Sequence, residues 1–256
     1  MHIVAIHRLG QDRETRAAAL ASALGITMYE ALSRLRSPGN GPFTIGIFAD
    51  QQRAMQIEEK LRSSGFSAVV LTEAEIIAER SPLIVRKFEL GGNDLSLTAE
   101  TGQSLSIFFQ NIRLILRGIG IVRGTTTETV NTRSLSLGRA VMSSGLMMTK
   151  TTKTVQEVAT EEREAFFNLY AEGTQVLVFR ENALLYDSLG PALKPSRALN
   201  FTHLIAELRR LAPHAQYDER LLTRPAQVAL LGPTLNPEEH LSAATALLAK
   251  TLSLLP

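Results

Sequence analysis

The apolar residues of this chain change their period once, and the change falls at Leu83. Before Pro82, β-branched runs such as Ile3-Val4-Ala5-Ile6 and Phe43-Thr44-Ile45-Gly46-Ile47-Phe48 are separated by stretches whose apolar side chains return at helical spacing. From Leu83 onward they return at every second position, as in Leu95, Leu97 and Ala99 and again in Leu105 and Ile107. A period of 3.6 buries one stripe of a helix, and a period of two buries one face of a strand. The switch therefore predicts an α+β chain, with a small α/β module followed by a β-rich one.

The first module reads in order. His2–His7 alternates as a strand. Asp12 is placed to cap a helix carrying Ala17, Leu20, Ala21 and Leu24 on one face, closed by Gly25. Thr27 with Glu30 forms a capping box for a second short helix running to about Arg36. Ser37-Pro38-Gly39-Asn40-Gly41-Pro42 is a turn cluster before the strand Phe43–Phe48. Asp50 caps a third helix with Ala54, Ile57 and Leu61, and Phe66–Leu71 is a third strand. The order β-α-α-β-α-β over residues 1–72 predicts a three-stranded sheet with helices on one face. This order, with Leu24-Gly25-Ile26 and Glu30-Ala31 before a Gly-rich turn, resembles two related families: the C-terminal domain of the bacterial ribosomal stalk protein and the adaptor of the Clp protease. The resemblance implies a fold used for binding and carries over no site residue. Where the adaptor family has an acidic Asn-Asp-Asp stretch after its first strand, this chain has Arg8-Leu9-Gly10-Gln11-Asp12. Where the adaptor has a histidine near the end of the second helix, it has Leu35-Arg36-Ser37. The lysine run of the stalk domain is missing as well.

Thr72 with Glu75 is another capping box, and Ser81-Pro82 stops the short helix it opens, so residues 73–81 read as a linker. The second module, 82–213, then offers strands at Leu83–Leu90, around Leu95–Ala99, at Leu105 and Ile107, and from Ile112 to Val122. Gly91-Gly92-Asn93-Asp94 is a hairpin turn in which glycine or asparagine is expected at positive φ. Three more strands are expected at Ala165–Tyr170, Thr174–Phe179 and Ala183–Tyr186. A helix from Asn200 carries Phe201, Leu204, Ile205, Leu208 and Leu211 on one face and ends before Pro213. Four strands, a gap, three strands and a helix resemble the pleckstrin-homology superfold. The likeness implies a seven-stranded antiparallel barrel or roll with a capping helix. The C-terminal extension, 214–256, reads as coil or strand around Val228-Ala229-Leu230-Leu231. A helix then opens at Asn236-Pro237-Glu238-Glu239, with the stripe Leu241, Ala244, Leu248, Leu252 and Leu255. Such a stripe is expected to pack back on the body of the protein.

The gap is the one compositionally biased stretch. Residues 123–160 hold fourteen Ser or Thr, no aromatic residue, and five basic against two acidic residues, and read as a long Ser/Thr-rich loop. Arg133, Arg139, Lys150 and Lys153 within it are the candidate ligand-binding residues, since their charges with the hydroxyls and backbone amides suit an anionic partner, either nucleic acid or phospholipid headgroups. Val141, Met142, Leu146, Met147 and Met148 suit a peptide or self-association surface instead.

Little else points to chemistry. With no Cys among 256 residues there is no disulfide framework and no thiolate nucleophile or zinc site. The five histidines never stand at ligand spacing on one element, so no metal site is expected. Gly118-Ile119-Gly120 is a faint likeness of a phosphate loop without its lysine, and no catalytic or cofactor motif is found. Asp218-Glu219-Arg220 reads as an ion-paired corner. The pI near 9.0 comes from a net charge of only +2, which makes no strong field. There is no membrane-length apolar run and no signal-peptide pattern, so the expected address is the cytoplasm. The expectation is a bacterial-type, non-enzymatic protein-interaction or scaffold protein without cofactor, whose partner is a protein; the second reading is a binding module for anionic ligands. The interaction reading expects exposed grooves between the helices of the first module or along an edge strand of the second.

Overall fold

A computed structural model describes residues 1–8, 13–35, 41–135 and 149–254, with backbone alone for 8, 13, 122–135 and 149–162. The chain divides into two units, residues 1–120 with 164–256, and residues 121–163.

In the first unit β1 (His2–Arg8) is the middle strand of a three-stranded sheet, antiparallel to β2 (Phe43–Phe48) on one side and β3 (Ser67–Leu71) on the other. Its four apolar residues from Ile3 to Ile6 are all fully buried, because the sheet is covered on both faces. Val4 and Ile6 meet α1 (Arg13–Leu24), α2 (Met28–Leu35) and α3 (Gln51–Ser63) through Ala17, Leu20, Ala31, Leu35, Ala54 and Leu61. Ile3 and Ala5 face a separate core built by residues far away in the sequence. The expected caps are present. Thr27 N donates to Glu30 Oε2 at 2.8 Å, and Gln52 N donates to Asp50 Oδ1 at 2.8 Å. Asp12 lies outside the described residues.

The helix α4 (Glu73–Arg80) follows, opened by the Thr72–Glu75 box. The second sheet has seven strands, β4 (Leu83–Leu90), β5 (Asp94–Ala99), β6 (Ser104–Phe108), β7 (Ile112–Leu135), β8 (Thr149–Ala171), β9 (Leu177–Arg180) and β10 (Gln216–Leu221), in the order β10-β7-β8-β9-β4-β5-β6. The expected antiparallel barrel is not formed. β10 pairs with β7 and β9 with β4 in parallel, and β6 and β10 are the two ends of an open sheet. The expected strand at Ala183–Tyr186 is absent, because Ala183 N and Leu184 N both turn back to Arg180 O. The seventh place is taken by Gln216–Leu221, whose polar run Gln-Tyr-Asp-Glu-Arg hid a strand that has only one neighbour to satisfy. One face of this sheet is closed by α5 (Arg197–Leu211), which lays Phe201, Leu204, Ile205 and Leu208 over Phe88, Leu97, Phe167 and Phe179. It starts three residues before the expected Asn200, capped by Ser196. Asn200 is itself buried and ties Lys194 N at 2.6 Å and Lys194 O at 3.1 Å.

The C-terminal residues form α6 (Arg224–Leu231) and α7 (Pro237–Ser253). The segment around Val228 is thus helical, started by Thr223-Arg224-Pro225. Leu230, Leu231, Ala244, Leu247 and Leu248 pack against Ile3, Ala5 and Leu71 of one sheet and Leu114, Leu116 and Leu221 of the other. As expected, the stripe of α7 serves the protein's own core. The corner at residues 218–220 also does structural work. Arg220 pairs with Asp218 at 2.7 Å and donates to the Gly41 carbonyl.

Two glycines act by close approach. Gly91 and Gly92 are not at positive φ; a Cβ on Gly91 would stand 2.5 Å from Asp94 Oδ1. The Gly118–Gly120 stretch is part of β7 and not a loop. A Cβ on Gly118 would meet Phe166 Cζ at 2.6 Å and Leu221 Cβ at 2.7 Å.

In the second unit, residues 121–163, β7 runs on to Leu135 and β8 begins at Thr149, where the sequence suggested one loop over 123–160. The runs Thr125-Thr126-Thr127 and Thr151-Thr152-Lys153-Thr154-Val155 are β-branched, and their stiff side chains suit an extended backbone.

Candidate functional site

The charged residues singled out from the sequence fall in the second unit. Arg133 stands on β7 and Lys150 and Lys153 on β8, but their side chains, and Arg139 altogether, lie outside the described residues.

The first unit offers a different feature, the free edge of β6. The strand forms because Leu105 and Ile107 alternate toward the core while Ser104, Ser106 and Phe108 face out; Phe108 is 56% exposed. It pairs with β5 in regular register, with no bulge, from Asp94↔Phe108 to Thr98↔Ser104. Hydrogen bonds at its two ends fix which backbone groups are spent. Ala99 N donates to Gln103 O at 2.8 Å, and Phe109 N donates to Asn93 O at 3.0 Å. Since bonded and non-bonded pairs alternate along an antiparallel ladder, residues 103, 105, 107 and 109 bond to β5. The N–H and C=O of Ser104, Ser106 and Phe108 then point away from the sheet, and no partner for them is found among the described residues.

Beside this edge lies a groove of about 650 Å³, lined among others by Lys87, Glu89, Ser96, Ser104, Ser106 and Asp187. The register sets its polar floor in two cross-strand rows, Glu89–Ser96–Ser106 and Lys87–Thr98–Ser104. Asp94 Oδ2 fixes one row, accepting from Ser106 Oγ at 2.5 Å and from Ser96 Oγ at 3.4 Å. A row of hydroxyls and an open backbone edge can hold another main chain through hydrogen bonds. Such an edge reads alternate side chains of the added strand.

Two polar groupings, one buried and one half-buried, lie elsewhere in the unit. Glu164 is 5% exposed and fully answered. Arg180 donates to its Oε2 through Nε at 2.9 Å and Nη2 at 2.7 Å, and Asn182 N donates to Oε1 at 2.7 Å. Glu79, in the last turn of α4, meets no cation among the described residues. Tyr170 Oη donates to its Oε1 at 2.8 Å and Asn168 Nδ2 to its Oε2 at 3.3 Å, both from β8. Asn168 is 4% exposed, and its Oδ1 has no partner. Burial pushes the Glu79 carboxyl up to about 7 against these two hydrogen bonds. Burial, and then the neighbouring Glu79, also hold the Tyr170 hydroxyl protonated. From the sequence, residues 73–81 read as a linker holding a short helix. The signal for this site is an acid in the last turn of that helix, the end where the helix dipole disfavours negative charge.

At the other end of the sheet, Arg209 of α5 lies 4.1 Å over the Tyr217 ring, and Tyr217 Oη donates to Glu219 Oε1 at 2.6 Å. They border a cleft of about 400 Å³ between α5 and β10. Among the described residues no group of three or more His, Asp or Glu side chains is placed to hold a metal ion. No helix among them is long and apolar enough to cross a membrane. No family model matches the chain, and neither the curated proteins nor the solved structures give a significant match.

Proposed function

We propose that this is a non-enzymatic protein-interaction or scaffold protein of the cytoplasm that takes up an extended segment of a partner protein as an added strand on β6. The observation that carries the reading is the regular, uncharged β6 edge, with the backbone groups of Ser104, Ser106 and Phe108 facing out beside the groove. Sheets usually blunt an exposed edge with lysine, proline or a bulge, and Ser104–Phe108 has none of these. The likeness of residues 1–72 to stalk and protease-adaptor domains points toward binding as well.

A display library of extended peptides, selected on the full chain, tests this. Ser106→Pro removes an outward N–H without touching the ladder to β5, so it should abolish binding of the selected peptides while circular dichroism stays unchanged. Ser106→Ala keeps that N–H and loses only one hydroxyl of the row, so it should weaken binding far less than Ser106→Pro. A folded Ser106→Pro protein that binds its peptides undiminished would remove the reading.

The second reading, an anionic partner at Arg133, Arg139, Lys150 and Lys153, is favoured by one observation. Three of these residues stand on the adjacent strands β7 and β8, and two-stranded ribbons are among the elements that engage nucleic acid. It expects binding to DNA, RNA or anionic vesicles that weakens steeply with salt and disappears when all four charges are reversed.

A further inference from the structure

We propose that the last turn of α4 and strand β8 form a proton-operated latch, seated when the Glu79 carboxyl is neutral and released when it is ionised. The argument starts from the three carboxyl groups that α4 presents in eight residues. Glu73 is exposed and pairs with the amino terminus of Met1 at 2.7 Å. Glu75 closes the capping box and receives Lys250 Nζ of α7 at 2.6 Å. Both stand in the first turn, where the helix dipole also favours negative charge. Glu79 stands in the last turn, where the dipole opposes it, and its carboxyl is turned into the contact with β8.

The charged groups around that contact are all spent elsewhere. Arg80, its neighbour on α4, donates through Nε to Ser242 Oγ of α7. Lys250, on the same helix α7, is held between Glu75 Oε1 and the Val70 carbonyl. His2 of β1 lies near Glu73, not Glu79. Among the described side chains of β8, the neutral Tyr170 and Asn168 meet Glu79, while the acid further along, Glu164, is bound by Arg180. Among the described residues no charged group contributes to the state of the Glu79 carboxyl; desolvation is the largest influence on it. An ionised Glu79 would be a partly buried charge answered by two neutral donors, one of them at 3.3 Å. A neutral Glu79 keeps the Tyr170 hydrogen bond without the cost of taking a charge partly out of water.

The latch sits where local opening is easiest. α4 ends one residue later at Arg80, with Ser81 as its C-cap ahead of Pro82, so its last turn has no helix beyond it to hold it. The first turn is fastened independently by the capping box, by Lys250 and by Met1. Ionisation therefore acts on residues 77–80 and their seat on β8, leaving the start of α4 on α7.

Hydrogen exchange of the full chain, corrected for the intrinsic pH dependence of exchange, tests this at pH 5.5 and 8.5. Amides of residues 77–80 and 168–170 should lose about tenfold or more in protection at the higher pH, while amides of β1 change little. Glu79→Gln should remove that difference. Because a variant can fail to fold, carboxyl-carbon NMR of the parent protein gives a second reading: Glu79 should titrate near neutrality, and in Tyr170→Phe its midpoint should move higher. Equal protection at both pH values, the same loss in Glu79→Gln, or a Glu79 midpoint in the usual carboxylate range would each overturn the proposal.

Discussion

Three carboxyl groups within eight residues of α4 meet three surroundings, and the difference has a measurable consequence for stability. Glu73 is held below the usual carboxylate range, first by the hydrogen bond from the amino terminus and then by its charge. Burial works against ionisation of Glu75, but hydrogen bonds from Lys250 and Thr72 outweigh it and keep that carboxyl low as well. Glu79, pushed up to about 7, does the opposite. An unfolded chain releases this proton at the ordinary value of 4.5, so between 4.5 and about 7 the folded state binds more protons than the unfolded one. Stability from this group is therefore complete below 4.5, falls as pH rises, and is gone above about 7, a loss of about 3 kcal/mol. In urea unfolding at pH 8, Glu79→Gln should be more stable than the parent by about 1–3 kcal/mol, and at pH 4 it should have no such advantage. A second test at this scale concerns Gly118. The methyl of Gly118→Ala would drive into Phe166 and Leu221, where β7, β8 and β10 meet, and should cost about 1–3 kcal/mol in the same assay.

Among the elements, α5 depends on a residue whose type does not announce its role. Asn200 reads as a helix start in the sequence, yet it is buried within α5 and holds both backbone groups of Lys194. Asn200→Ala leaves that N–H and C=O without partners and should lower stability by about 1–3 kcal/mol, read as a lower urea midpoint. The strands divide in the same way between local and distant causes. β4, β5 and β6 follow the alternation of Leu95, Leu97, Leu105 and Ile107 with little room for another reading. β10 follows no such pattern. Its outward polar residues are acceptable because it is an edge, and it is a strand because β7 offers it a ladder from Leu114 to Gly118.

For the whole molecule, the decisive contact is the core that α6 and α7 build between the two sheets. Leu230, Leu231, Leu247 and Leu248 cover Ile3, Ala5 and Leu71 and reach Leu114, Leu116 and Leu221. A chain ending at residue 235 would expose one face of the three-stranded sheet. It should lose cooperative thermal unfolding by circular dichroism, not merely shift its midpoint. Much of this architecture was legible in the residues alone: the β-α-α-β-α-β order, the boxes at Thr27 and Thr72, the caps at Asp50 and Asn236, and the inward stripe of α7. These are local matters, settled by side chains reaching backbone groups two or three residues away and by a periodicity that one element carries by itself. Which strands run parallel, where the sheet stays open and which side chains are buried together are pairings between residues far apart in the chain, such as Gln216 with Leu114 or Ile3 with Leu248, on which local periodicity is silent. That is why Gln216–Leu221 replaced Ala183–Tyr186 in the sheet and the barrel stayed open at β6. It is also why Glu79, an acid like its two neighbours in the sequence, alone was set against a tyrosine and an asparagine with no cation to meet it.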